Sequence, residues 1–488
     1  MTKSKHGAID LITGCLPAAG GAVAGLTLGA AAAWAIDYGV DMPDPGIPGY
    51  SFPESETNLV AWVDAGDSKR INTHAWGVWA ALTSLSGRPA HGQADARVYQ
   101  TWMTPGQILE ATNSTESHAL TADQRPLVLE TPRQFSASDS TQAVAAQSTP
   151  DCGQGGKPDT CIVVTVNYSP PAAKHALENR LMWASTLQAY LDNGYVEIPN
   201  FPVAAVTVKP VYKVITQDKL RNGRLYVMPA WPGTPDPPKT FPETAWNEGC
   251  FYVDTENQGQ GNGAVDWSCA NPTPETTYNL EDFINIPITA ADQAYYAKLT
   301  QGQAQVQPGD ILILVAMHTT TREMTRWAWQ TFFWTPSVND PKLPSSAAIA
   351  ADRPAELTGA PAHYAMSVAY QMLAPAHPLN GGRDVGSLHP AYNPYLEAGF
   401  APDTFRVTRT VQTPTAPVTT EYGVQTNCMT CHGLAMYDPQ MDYDGGGGAG
   451  RQVPYGANFY LGRDDAVFDG ALKLDFAWSI LGTVDTSK

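Results

Sequence analysis

The sequence has few basic residues for its length. Its 488 residues include 29 Lys and Arg against 47 Asp and Glu, which gives a formal net charge of −18 at pH 7. Nucleic acid binding depends on Lys and Arg side chains that neutralise phosphates, so this balance argues against a nucleic acid partner. An acidic surface suits a cationic protein partner, and it also keeps a protein soluble.

Charged residues of both signs are scarce, at 16%, whereas hydrophobic residues make up 43% of the chain. The sequence shows no internal repeat and no regular alternation of strands with helices, which argues against a solenoid or a parallel α/β fold. The 40 Pro and 42 Gly predict many turns and much irregular backbone. Together these features indicate a globular protein with one large body or two to three domains.

Cysteine is also sparse, with 7 in the chain. Four of them lie in two Gly-rich stretches of the body, and an even number in an oxidising compartment predicts disulfides. Three connectivities are possible, and four free buried thiols are the alternative. Pairing between near neighbours is the simplest expectation: Cys152–Cys161 and Cys250–Cys269.

Two further cysteines form a short motif near the C-terminus, in the stretch NCMTCHGLAMYD from Asn427 to Asp438. The spacing C-x-x-C-H is typical of covalent attachment of a c-type haem. In this reading the thiols of Cys428 and Cys431 form thioethers with the two vinyl groups of one haem. His432 then binds the iron from the proximal side.

Two other types of site use the same cysteine spacing. A redox dithiol normally opens a helix within a βαβ unit, and the sequence shows no such unit here. A zinc site needs a second pair of ligands, but the 56 residues after His432 contain neither Cys nor His. The sequence therefore favours haem over either alternative, provided that the chain is exported, because haem is attached outside the cytoplasm.

The first 35 residues have the pattern of a secretory signal peptide. Lys3 and Lys5 precede an uncharged, mostly apolar stretch over 11–33, and Ala33-Trp34-Ala35 offers a cleavage site. The apolar stretch is also long enough to serve as an uncleaved membrane anchor, and membrane contact is expected only in that case. Lipidation at Cys15 is the least favoured alternative, because the apolar run follows this cysteine.

Hydrophobic patterns predict the main elements of the body. Apolar residues spaced as on one helix face predict a helix over 71–83. An apolar run over 311–318 and an alternating aromatic run over 326–334 predict two strands that form a hairpin. Two further strand regions are expected, one from Cys161 and one from Phe201, the latter as a single strand or a bent pair of strands. Helices are expected from about 170 to 192 and, as a short helix, from His363, and the run over 471–481 is helix-like.

These patterns predict an α+β fold with a strand-rich, largely antiparallel body and irregular loops. A short helical haem-binding segment at the C-terminus is expected to pack on this body. The predicted divisions are a signal peptide or anchor over 1–35, a large mixed body over 36–410, a linker over 411–421 and the haem segment over 422–488.

The late position of the motif leaves the second axial ligand of the iron open. In small cytochromes c the motif lies near the start of the domain, and a methionine further along the chain binds the other side. Here only Met436 and Met441 follow His432, and both lie too close to it to reach that side easily. The body is therefore the expected source of the ligand.

His318 is the preferred distal candidate, either as a ligand or as a residue of the distal pocket. It ends an apolar strand, where few polar residues are expected, although a hydrogen-bonded histidine at a strand end is the simpler explanation. Met317 points to the opposite face. His74 ranks behind His318, with a boundary histidine as the simpler account. Three tryptophans could line a haem pocket or simply belong to the hydrophobic core: Trp327, Trp329 and Trp334.

Several blocks of the sequence resemble one protein family. HAWGVWAALT, VAMHTTTREMTRWAWQTFFW, HYAMSVAYQM, NPYLEAGF and NCMTCHGLAMY, in this order, resemble a group of large bacterial monohaem proteins of the cytochrome c family. The resemblance covers most of residues 55–485. It implies a periplasmic location and one covalent haem near the C-terminus, but it assigns no reaction and no catalytic residues.

Two redox functions follow from a single c-type haem, and a non-redox protein that carries haem for sensing or assembly is a third alternative. The first is electron transfer to a redox partner protein in the periplasm, with the haem held between the body and the C-terminal segment. The second is a redox enzyme with an open distal site for peroxide, a nitrogen oxide or a small organic substrate. The large body fits either function, so the sequence alone does not decide whether the protein is an enzyme.

Overall fold

The computed structural model describes residues 36–114, 121–130, 151–236, 239–299, 306–376, 385–399, 410–412, 417–419, 427–441, 443 and 460–488. The predicted signal peptide over 1–35 lies outside these residues. Within the described part of the chain, no helix combines the length and the apolar character that crossing a membrane requires. The α-helices are α1 Glu56–Ala65, α2 Ser68–Thr83, α3 Pro105–Asn113, α4 Pro170–Glu178, α5 Ala184–Asp192, α6 Ala290–Leu299, α7 Ala347–Ala351, α8 Cys428–Gly433 and α9 Trp478–Leu481.

Strands outnumber helices and form one large sheet and several small ones. They are β1 Val163–Val164, β2 Asn167–Tyr168, β3 Val206–Ile215, β4 Leu225–Pro229, β5 Cys250–Asp254, β6 Thr277–Asn279, β7 Asn285–Pro287, β8 Ile311–Thr321, β9 Ala328–Trp334, β10 Tyr364–Ala369, β11 Leu373–Ala376, β12 Val385–Leu388, β13 Thr410–Gln412, β14 Pro417–Thr419, β15 Met436–Tyr437 and β16 Leu472–Lys473. The protein is therefore an α+β fold with a strand-rich body, as predicted.

The large sheet has the order β1-β3-β8-β9-β10, with β2 beside β3 and β7 beside β8. All of its pairings are antiparallel. The predicted hairpin is confirmed, since β8 pairs with β9 from Ala316 opposite Phe333 to Thr321 opposite Ala328. One parallel pair, between β5 and β6, occurs in a separate three-stranded sheet.

The register of the large sheet determines which side chains share a face. His318 lies opposite Thr331, and Thr320 lies opposite Trp329. Because side chains alternate along a strand, His318 and Trp329 point to one face, whereas Phe332 points to the other. Helix α2 covers the second face, where the Trp79 ring stacks on Phe332 with centroids 4.3 Å apart.

Helix α2 confirms the predicted helix over 71–83 and begins slightly earlier. The side chain of Asp67 caps its first turn by accepting a hydrogen bond from the backbone N–H of Arg70 at 3.1 Å. Its apolar side chains enter the larger of the two main hydrophobic clusters, together with residues of β8, β9 and β10. The helix is therefore held by burial on the sheet as well as by its cap.

The second main cluster joins the body to the C-terminal segment. It includes Trp329 of the large sheet, Met372 after β10, and Met429 and Leu472 near the C-terminus. The described parts of the C-terminal segment thus share a hydrophobic core with the body. This packing places α8 against the face of the large sheet that α2 leaves free.

Some predicted elements differ from the structure. The predicted helix from His363 is wrong, because this stretch forms β10 and pairs along its length with β9. Tyr364 and Val368 suit a strand, and the edge of β9 supplies the partner. The helix-like run over 471–481 is also divided, since Asp475 and Phe476 have φ values of 45° and 69° between β16 and α9.

The predicted long helix from about 170 to 192 consists of two helices, α4 and α5. Arg180 between them has a φ of 51°, which a continuous right-handed helix does not allow. The predicted strand from Cys161 likewise consists of two short strands, β1 and β2, both paired with β3.

Both predicted disulfides are confirmed, Cys152–Cys161 and Cys250–Cys269. They close loops between residues 9 and 19 positions apart. Two disulfides are compatible with a protein outside the cytoplasm, where thiols are readily oxidised. Cys428 and Cys431 are free thiols, although only two residues separate them.

Candidate cofactor site

The cysteine motif lies on α8, a helix too short to be stable by itself. Asn427 precedes it, and its side-chain oxygen accepts a hydrogen bond from the backbone N–H of Thr430 at 3.1 Å. The amide nitrogen of the same side chain donates to the carbonyl oxygens of Gln371 at 3.0 Å and His389 at 2.7 Å. One residue therefore both caps the helix and ties it to the body.

The two thiols of the motif are protonated at neutral pH. Burial, with a smaller contribution from the nearby charge of Glu397, raises the pKa of Cys428 well above its usual value and that of Cys431 to about 12. The thiol of Cys428 donates to the carbonyl oxygen of Ala391 at 3.1 Å. A redox dithiol needs at least one thiol with a lowered pKa, so these surroundings disfavour that type of site.

His432 is oriented by a backbone carbonyl. Its Nδ1 lies 3.0 Å from the carbonyl oxygen of Phe476. A carbonyl oxygen can only accept, so Nδ1 carries the hydrogen, and in the neutral ring Nε2 keeps its lone pair. Burial lowers the pKa of His432 to about 4, so the ring is neutral at pH 7. A neutral histidine with a free Nε2 is the form that binds a metal.

Trp329 supports the His432 ring from the large sheet. The two ring centroids are 4.1 Å apart, with the planes inclined by 37°. Trp329 is buried, and its indole N–H donates to the carbonyl oxygen of Arg326 at 3.0 Å. Of the tryptophans considered as pocket walls, Trp329 contacts the motif, whereas Trp327 packs on Phe201. Trp334 lies in the larger cluster beneath Phe283.

His318 points to the same face of the sheet as Trp329. Of residues 312–321 in β8, His318 is the one that is partly exposed. Its Nε2 lies 2.9 Å from Oε1 of Glu397, and both side chains are 14% exposed. Lys209 of β3 lies directly opposite His318 in the sheet. The distal candidate thus belongs to a group of three ionisable side chains.

This group lies near the cysteine motif. Burial is the main cause of the lowered pKa of His432, and its electrostatic interactions with His318 and Lys209 lower it further. The charge of Glu397 raises the pKa of both motif thiols. The fold therefore places this group within electrostatic range of the motif, although more than a hundred residues separate His318 from it in the sequence.

The other candidates lie elsewhere. His74 is a buried residue of α2, with Nδ1 2.7 Å from the Tyr370 hydroxyl and Nε2 3.1 Å from Oε1 of Glu323. Both of its nitrogens are engaged, which agrees with a structural role. Met317 is buried on the opposite face from His318, as the alternation predicts. Met436 is not on the helical turn of His432, since α8 ends at Gly433 and Met436 belongs to β15.

Glu397 was not identified from the sequence. It follows β12 in a 3-10 turn, Glu397–Gly399, and it is the only carboxylate in the stretch NPYLEAGF. A single acidic residue in an aromatic and apolar stretch was the available indication. Phe476 was also missed, because its contribution is a backbone carbonyl that carries no side-chain pattern.

The residues of the motif fit a covalent haem. They comprise two free thiols and one neutral imidazole with a free Nε2. In the described ranges no three or more His, Cys, Asp or Glu side chains form a group that could hold a bare metal ion. Haem needs no such group, because the porphyrin supplies four of the ligands of its iron.

Comparison with known proteins adds no assignment. No protein-family model matches this chain, and neither a curated protein nor a solved structure shows significant similarity to it.

Proposed function

We propose that the protein is a monohaem c-type cytochrome that transfers electrons. Cys428 and Cys431 hold the haem covalently, and His432 binds its iron. The observation that carries this proposal is the hydrogen bond from Nδ1 of His432 to the carbonyl oxygen of Phe476, which leaves Nε2 free beside two unpaired thiols. The bound haem supplies an iron that accepts and releases one electron.

The residues around the motif limit how much the site can rearrange. Asn427 fixes the start of α8, and the Phe476 carbonyl fixes the plane of His432. Trp329 packs against the imidazole and excludes water from that side. A site that changes little between two charge states has a small reorganisation cost, which suits electron transfer.

The proposed location is the periplasm, and the proposed partner is a redox protein with a cationic surface. The two disulfides and the N-terminal sequence pattern support export. The net charge of −18 supports the choice of partner, because opposite charges steer association. Raising the ionic strength should then slow electron exchange with a cationic partner.

The first experiment is expression of the full chain in a bacterial host that attaches haem c to exported proteins. We expect haem to remain on the polypeptide in a denaturing gel, where only covalently bound haem survives. The double variant C428S/C431S is the control and should lose this haem. A wild-type protein that folds with both disulfides but carries no covalent haem under these conditions would refute the proposal.

A second candidate function is catalysis at an open distal site. The pair formed by His318 and Glu397 supports it, because a histidine held by a carboxylate can take and release a proton beside a bound substrate. Absorption spectra of the holoprotein with and without cyanide or carbon monoxide separate the two functions. A low-spin spectrum that these ligands leave unchanged supports the electron carrier, and a high-spin spectrum that shifts supports the enzyme.

A further inference from the structure

We propose that Glu397 is a positioning residue that holds His318 through Nε2 and so presents Nδ1 of His318 to the haem iron as its sixth ligand. This inference rests on the proposed function, since it requires haem on Cys428 and Cys431. It adds a residue that sequence reasoning missed, and it specifies which nitrogen of His318 is available.

The direction of the hydrogen bond follows from the chemistry of the pair. An ionised carboxylate only accepts, so Nε2 of His318 donates to Oε1 of Glu397 across 2.9 Å. In a neutral imidazole Nδ1 then keeps its lone pair, and no described residue forms a hydrogen bond with it.

The carboxylate itself is firmly held. Its second oxygen, Oε2, accepts the backbone N–H of Asn393 at 2.7 Å. The side-chain amide of Asn393, which is fully buried, donates to the Thr331 hydroxyl at 2.8 Å and to the carbonyl oxygen of Phe332 at 3.0 Å. Thr331 is the direct cross-strand partner of His318. The chain of contacts thus starts and ends on one pair of strands, which fixes the imidazole relative to the sheet.

The placement of His318 agrees with a role toward the haem. It shares a sheet face with Trp329, which contacts the ring of His432. It is also the partly exposed position in the otherwise buried stretch 312–321 of β8. A side chain with no function there would be expected to be apolar, like most of its neighbours in β8.

A carboxylate bonded to a metal-binding histidine makes the imidazole a stronger electron donor. A stronger donor stabilises ferric over ferrous iron and lowers the midpoint potential. Removing a carboxylate charge close to the motif also shifts the potential through its field alone. In His318→Ala, by contrast, Glu397 keeps its charge but has no ligand to hold. The midpoint potential of Glu397→Gln and the spin state of His318→Ala together therefore distinguish the two roles.

The test is Glu397→Gln in the holoprotein, a change that keeps the shape of the side chain and removes its charge. We expect covalent haem and a low-spin spectrum to remain. We expect the ferric form to lose about tenfold in relative stability, which raises the midpoint potential by ~59 mV for one electron. Glu178→Gln is the matched control, because it removes one negative charge at a site that is 59% exposed. Glu397→Asp should restore much of the original potential.

Two further measurements keep the inference testable if the variant folds poorly. His318→Ala should convert the haem to a high-spin form that binds cyanide. Electron paramagnetic resonance and near-infrared spectra of the unmodified holoprotein should report two histidine ligands.

Three results would each overturn the inference. They are spectra of the unmodified holoprotein that report one histidine and one methionine as axial ligands, a low-spin spectrum for His318→Ala, and equal midpoint potentials for Glu397→Gln and Glu178→Gln. None of these results affects the proposed function, which depends on covalent haem in the wild-type protein.

Discussion

Phe476 and Asp475, adjacent in sequence, together set the orientation of His432. The Phe476 carbonyl accepts the hydrogen of His432 Nδ1 at 3.0 Å, and both turn residues have positive φ values, 45° for Asp475 and 69° for Phe476. Non-glycine residues seldom adopt this conformation. This backbone conformation costs free energy. The carboxylate of Asp475 offsets that cost by accepting hydrogen bonds from Nε of Arg322 and from the Phe201 backbone N–H, each at 2.9 Å.

The buried pair of Arg322 and Asp475 should therefore matter to both stability and the site. We expect Asp475→Ala to lower the free energy of unfolding by about 3–5 kcal/mol, because it leaves a buried guanidinium without its partner. Urea unfolding followed by tryptophan fluorescence measures this change. The exposed Asp469 lies in the same segment, and Asp469→Ala is the control, with an expected effect below about 0.5 kcal/mol. Similar effects of the two changes would show that Asp475 does not support the turn.

Asn427 provides a second test, directed at the start of α8. Asn427→Ala removes the helix cap and two hydrogen bonds to the body, and we expect a loss of about 2–3 kcal/mol in the free energy of unfolding. Asn427→Asp keeps the cap acceptor but cannot donate to the carbonyls of Gln371 and His389. It should be destabilised as well, because a carboxylate would face two carbonyl oxygens. If Asn427→Asp were as stable as the wild type, those two hydrogen bonds would contribute little.

The local features of the fold were predictable, and the pairings between distant segments were less so. The β8–β9 hairpin and α2 follow from periodicity within short stretches. The prediction of a short helix from His363 is wrong, because this stretch forms β10. Its structure is decided by pairing with β9, a partner that the local sequence does not identify.

The same reasoning explains what was found and missed at the site. Cys428, Cys431 and His432 form a contiguous motif, so they were identified from spacing alone. His318 stood out as a polar residue at the end of an apolar run. Glu397 and the Phe476 carbonyl act only through contacts made in three dimensions, with partners 79 and 44 residues away. Identifying them requires the register of the sheet and the turn at Asp475.

Asp37 allows a test of pH dependence away from the site. Burial raises its pKa, but hydrogen bonds from Arg88, Gly39 and Ala122 outweigh burial and lower it to about 2, against an ordinary value of 3.8. A lowered folded-state pKa stabilises the fold above the unfolded pKa, and this contribution is lost as pH falls through the folded value. We therefore expect Asp37→Asn to be less stable than the wild type by about 1–2 kcal/mol at pH 6.

The difference between Asp37→Asn and the wild type should shrink as the pH falls from 4 to 2, because Asp37 then becomes protonated and resembles Asn. Thermal unfolding followed by circular dichroism over this pH range measures this difference in stability. Asp64→Asn, at an exposed position of α1, is the control for a change of net charge. A constant difference at all pH values would mean that the hydrogen bonds do not depend on the charge of Asp37.

Trp329 connects the stability of the body to the site. Trp329→Ala should lower the free energy of unfolding by about 3–5 kcal/mol, because it leaves a cavity between the sheet and α8. The loss of the ring also removes the support of His432 at 4.1 Å. We therefore expect broader electron paramagnetic resonance lines for the haem, which indicate a less uniform orientation of the imidazole.

Two variants test whether contact between the Trp329 ring and His432 is what stabilises the fold and keeps the resonance lines narrow. Trp329→Phe keeps an aromatic surface but loses the indole hydrogen bond to Arg326, so it should fall between the wild type and Trp329→Ala in stability and keep narrow lines. Trp267→Ala, at a position that is 73% exposed, should change neither property. Narrow lines in Trp329→Ala would mean that the Phe476 carbonyl alone is enough to orient His432.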